Sequence, residues 1–160
     1  MKITYTKKNI LQGSIVFSIG DAIAAYLLGE LTVFRYVGMM IIGGTVYAFE
    51  IPNYFKWISH RCADYTGYKW KTAKTLYALA YFNPLWIARH LLFLAFLNQS
   101  DISWSLVSVA FMSFLVNIPM ALAGNYSIQN FVSLPNRFLA SAIFSGIMAI
   151  YYAYSTALFS

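Results

Sequence analysis

Five stretches, at 10–29, 34–58, 73–97, 102–123 and 137–158, run for about 20 residues or more with almost no formal charge. No other feature restricts the possible folds as much. A segment this long and apolar is poorly placed against water. In lipid it must satisfy its backbone groups internally. Composition agrees: 60% of the 160 residues are hydrophobic, 10% are charged and the mean hydropathy is +0.61. Soluble domains carry roughly 25% charged residues. The chain therefore reads as an all-α integral membrane helical bundle, one domain over 1–160 with about five transmembrane spans.

Glu30 to Val33 and Asn98 to Asp101 are short connections, which makes spans one and two, and spans three and four, antiparallel hairpins. Ser59 to Thr72 and Gly124 to Asn136 are the longer polar links. On five crossings, Lys2, Lys7, Lys8, Lys56, Arg61, Lys69, Lys71, Lys74 and Arg137 share one side, against Arg35 on the other. Basic residues stay on the cytoplasmic side, so the N-terminus is expected inside and the C-terminus outside. The net charge of +6 then serves orientation and lipid headgroups, not nucleic acid. The first apolar run loosely imitates a signal peptide, but Gln12, Gly13, Ser14 and Asp21 interrupt it, and it is expected to be retained.

Ionisable groups at membrane depth cost about 2.5–3.5 kcal/mol or more each, which marks Asp21 in span one, Glu50 in span two and Arg89 in span three. Asp21 and Arg89 fall at similar depths and are expected to pair, either lining a polar pathway or only fastening helices. Glu50 precedes Pro52, where freed carbonyls beside a carboxylate suit a cation or proton; the span ending there is the plainer alternative. Pro84 after Asn83, and Pro119 after Asn117, predict bends in spans three and four. Cys62 stands alone, His60 and His90 lack ligand spacing, and no catalytic or nucleotide motif occurs. No enzyme, metal or cofactor is expected.

Small residues recur every fourth position at Ser141, Ser145, Ala149, Ala153 and Ala157, at Ser14, Ser18 and Ala22, and at Gly44 and Ala48. Such faces let helices approach closely, within the bundle or in a homo-oligomer.

Gly20-Asp21-Ala22-Ile23-Ala24 in span one, and Asn130-Phe131 followed by Pro135 and Arg137, resemble the Gly-Asp and Asn-Phe-x-x-x-Pro motifs of the Mpv-seventeen/peroxisomal-membrane-protein family of small organellar membrane proteins. Where that family has Trp-Pro, this chain has Ile118-Pro119. The resemblance implies a helical bundle in a mitochondrial inner or peroxisomal membrane, or in a bacterial inner membrane, and a weakly selective pore. The functional expectation is a channel or carrier for a small polar solute or ion, with membrane lipids as partners. The alternative is an accessory protein whose polar residues only lock the bundle.

Overall fold

The computed structural model describes residues 2–82, 84–99 and 104–159, with side-chain surroundings for all of these except 82, 84, 105–107, 109, 110, 113, 114 and 151–159. Among the described residues the chain is helical, without strands. The order is α1 (Lys7–Leu27), α2 (Val33–Ile42), one wide π turn (Gly43–Tyr47), α3 (Ala48–Arg61), α4 (Gly67–Phe82), α5 (Pro84–Leu97), α6 (Ser105–Phe131), a short 3-10 turn (Leu134–Asn136) and α7 (Arg137–Phe159). Among the described residues, two helical stretches, Lys7–Leu27 and Gly67–Leu97, are long and apolar enough to cross a membrane. The 34–58 stretch is three joined pieces, helical from Val33 through Arg61. Pro52 lies inside α3 and Pro119 inside α6, so neither ends its helix. Pro84 is the first described residue of α5. Asn83 and the 100–103 part of the connection before α6 lie outside the described residues, as do the side chains of Ala153 and Ala157.

Contacts gather the chain into two compact units, one from Met1–Lys56 with Ser133–Ser160, the other Trp57–Val132. In the first, Thr6 caps α1 by accepting the Asn9 N–H at 3.2 Å. The helix ends on Gly29, whose φ of 70° suits glycine. There the Gly29 N–H bonds the Tyr26 carbonyl and the Glu30 N–H bonds that of Ala25, closing a Schellman turn. Thr32 then caps α2 through the Arg35 N–H at 3.1 Å. The chain reverses, and α1 runs antiparallel to α2 and the wide turn: Asp21 meets Arg35, Phe17 packs on Tyr47, and Gly13 abuts Gly43.

Against its other side α1 receives α7, running parallel, with Gly13 and Phe17 near Phe138 and Gly20 near Gly146. Gly13 and Gly20 let the backbones of these helices meet closely. Of the small-residue stripe expected on α7, Ser141 is buried, but the crossing itself uses Gly146. On α1, Ser18 is buried with its hydroxyl turned back to the Ser14 carbonyl at 2.6 Å.

The second unit packs α6 against both α4 and α5. Trp57, just before the end of α3, meets the Tyr77 ring edge-on at 5.4 Å. Ala78, Ala95, Leu97, Ala121 and Ile128 are buried in it.

A side chain added at Gly20 would meet the Gly146 Cα at 2.8 Å, whereas one added at Gly146 has 3.4 Å to the Gly20 Cα. The expected outcome is asymmetric. Gly20→Ala lowers stability by about 1–3 kcal/mol through overpacking. Gly146→Ala is near neutral, with a helix-propensity gain of up to about 1 kcal/mol. Unfolding of the detergent-solubilised variants by SDS titration checks this, and equal losses at both positions contradict it.

Candidate functional site

Asp21 lies within the last two turns of α1, and Arg35 is the third residue of α2. The two are seven residues either side of Leu28, so the reversal brings them to the same level. Arg35 donates from Nε to Asp21 Oδ2 at 2.9 Å and from Nη2 to Oδ1 at 2.8 Å, a two-point fork. Its Nη1 donates to Glu30 Oε2 at 2.7 Å. The Arg35 and Asp21 side chains are 3% and 4% exposed, while that of Glu30 is 48% exposed. Arg35, in the first turn of α2, lies at the unfavourable positive end of its helix dipole. Pairing it with Asp21 offsets both that and the loss of water.

This corrects two expectations. The partner of Asp21 is Arg35 rather than Arg89, because both Asp21 oxygens accept from one guanidinium contributed by the neighbouring helix of the hairpin. Arg35 is moreover not an outward orientation charge but a buried structural one. Arg89 stands on α5 in the other compact unit, partly buried one residue before His90, whose ring stacks on Trp86 at 4.7 Å. Glu50 is partly buried in the first turn of α3.

A second polar cluster fills the interior of the other unit. Lys74, one of the basic residues expected on the cytoplasmic side, is 1% exposed. Its ammonium donates to the Gln129 carbonyl at 2.7 Å and lies 3.2 Å from the Trp70 ring centroid, a cation–π contact. Gln129, Asn125 and Thr75 are buried with it. Asn130 donates to Thr75 Oγ1 at 3.2 Å and to the Tyr126 carbonyl at 2.9 Å. Beside them a cavity of about 390 Å³ is lined by Thr72, Thr75, Leu76, Pro119, Leu122, Ala123 and Tyr126. Its walls are mostly apolar, with three hydroxyl-bearing side chains.

The family-like positions scatter. Gly20 serves the α1–α7 crossing, Asn130 the polar cluster, and Phe131 is exposed with its edge to Tyr126. Pro135 is exposed in the 3-10 turn, and Arg137 is buried at the start of α7. No group of metal-ligating side chains occurs among the described residues. Comparisons with protein-family models, curated proteins and solved structures returned no match.

Two outcomes follow from these geometries. Asp21→Asn leaves the buried Arg35 charge facing only the half-exposed Glu30 and is expected to cost up to about 3–5 kcal/mol, while Glu30→Gln, half in solvent, costs less than about 1 kcal/mol. SDS-titration unfolding measures both, and a mild Asp21→Asn defect argues against the fork. Burial pushes the Cys62 thiol up from its ordinary value, with Lys74 and Arg61 pulling back less strongly. A pKa raised in the folded state favours folding below the ordinary thiol value, and that contribution is lost as pH rises through the folded one. Maleimide labelling of Cys62 is expected to be more than about tenfold slower in the folded protein than in SDS at pH 8. Equal rates refute the burial.

Proposed function

We propose that this chain is an integral membrane protein with five crossing segments, its N-terminus on the cytoplasmic side, that passes a small polar solute or ion. One observation carries the reading: aliphatic faces point outward on several helices while ionisable and amide side chains are buried. Leu11, Ile15, Ile19 and Ile23, every fourth residue on α1, are 61, 46, 47 and 43% exposed, while Ser18 and Asp21 on the same helix are buried. Val33, Val37 and Ile41 on α2 and Ile143 and Ile147 on α7 continue the outward apolar surface. Lys74, Gln129 and Asn125 are turned inward. Lipid is the solvent such a surface matches. With Arg35 buried, the basic residues that remain exposed or partly exposed belong to the proposed inner side, apart from Arg89 in a span, which supports the orientation.

The buried amides and ammonium of the second unit support the pathway. Within this proposal the Gly20-Asp21 and Asn130-Phe131 resemblances assign the protein to the Mpv-seventeen-like membrane proteins of mitochondria or peroxisomes, or to a bacterial relative. A second reading, a non-transporting accessory protein, is favoured by a specific observation. Both Asp21 oxygens are held by Arg35, which makes that residue a fastener and moves any solute path away from it.

Reconstitution into liposomes separates the two. Release of small trapped polar solutes that falls at least about tenfold in Lys74→Met, with the fold retained, supports transport; no release of any solute by the parent protein leaves the accessory reading. Sidedness is checked in a Cys62→Ser background with Tyr68→Cys and Trp104→Cys, both native side chains being highly exposed. Membrane-impermeant maleimide is expected to label these from opposite faces, and labelling from one face overturns the five-crossing arrangement.

A further inference from the structure

The wide turn between α2 and α3 has a consequence at one carbonyl. The Ala48 N–H reaches back to the Gly43 and Thr45 oxygens. In an uninterrupted α-helix it would serve the Gly44 oxygen. That oxygen instead accepts from the Tyr5 hydroxyl at 3.0 Å. Tyr5 belongs to an extended arm, residues 2–6, that precedes α1.

The rest of the arm is tied to the same helix. Asn53 clasps Thr4 at two points, accepting its N–H at 2.7 Å and donating to its carbonyl at 2.8 Å. Lys56 donates to the Thr4 hydroxyl and to the Lys2 carbonyl. The Tyr5 ring sits edge-on to Phe49 at 5.9 Å. Every anchor lies within or beyond the wide turn, at Gly44, Phe49, Asn53 and Lys56.

Burial along this helix explains why its register matters. Arg35, Met39, Gly43, Tyr47, Ile51 and Phe55 are buried, every fourth residue in succession. In a pure α-helix a spacing of four advances about 40° per step, so this face would wind away from its neighbours. The wider turn takes part of that rotation back.

We infer that residues 2–6 are a latch that holds the second helix in its bulged register. The Tyr5 hydroxyl supplies the partner that the turn withdraws from Gly44, and the Asn53 clasp holds α3 at the matching rotation. With the arm released, the turn relaxes toward α geometry and α3 rotates by up to about 100° and shifts by about 1.5 Å, the increments of one residue. Glu50 and Pro52 travel with it. The latch makes the arm a control point over a helix with two registers, independent of whether the protein conducts a solute.

Hydrogen exchange of the full chain in detergent micelles tests this with Tyr5→Phe, which keeps the ring against Phe49, and with Asn53→Ala. Exchange within 43–50 is expected to rise by about tenfold, the equivalent of one hydrogen bond, with α6 unchanged. Deleting Thr45 removes one residue from the wide turn and reads the register directly. The deletion is expected to lower stability in the otherwise native chain and to cost at least about fivefold less in the folded-to-unfolded ratio once Tyr5→Phe and Asn53→Ala are present. Unchanged exchange within 43–50, a rise spread equally into α6, or a deletion cost independent of the arm overturns the latch.

Discussion

The fork between Arg35 and Asp21 is the interaction on which the first unit depends. Isolated, either charge is hard to bury, and in hydrocarbon harder still. Together, with Glu30 adding a contact to the guanidinium from a half-exposed position, they turn two liabilities into a marker of register. Antiparallel helices packed by apolar side chains alone can slide by a turn at small cost. Helices that share a buried two-point ion pair cannot, because any slip leaves a charge without its partner. The Schellman turn at Gly29 and the Thr32 cap, both local to the reversal, bring the pair level.

Given that register, glycines decide how close the helices come. Gly13 against Gly43 and Gly20 against Gly146 bring backbones together on two sides of α1, a helix whose remaining face presents Leu11, Ile15, Ile19 and Ile23 outward. The helix is thus divided into a charged and small-residue interior and an aliphatic exterior. Van der Waals contact over small residues and interhelical polar bonds are the terms that hold helices together when the surroundings are as apolar as the side chains. The second unit uses the polar term more heavily, with the Lys74 ammonium set between the Gln129 carbonyl and the face of Trp70.

Proline and the wide turn show how far local irregularity is absorbed by neighbours. Pro52 and Pro119 read as interruptions, yet α3 and α6 continue past them. The irregularity at Gly43–Tyr47 has no proline and no sequence signature beyond two adjacent glycines, and it is stabilised from outside the helix by Tyr5.

The sequence by itself determined the helical class, the reversal between the first two helices and the need of Asp21 for an opposite charge. These rest on local rules: backbone groups in an apolar run are satisfied within the run, caps and glycines end it, and a lone acid in such a run needs a partner. The identity of that partner is legible too, since Arg35 mirrors Asp21 across Leu28, although counting basic residues by side places Arg35 outward. Tertiary structure alone decided that Lys74 points inward, that Gly20 meets Gly146 at the α7 crossing, and that an N-terminal tyrosine completes a distant helix turn. Each depends on the rotation of one helix against another, which is set by packing between residues far apart in the chain and leaves no periodic trace within either segment.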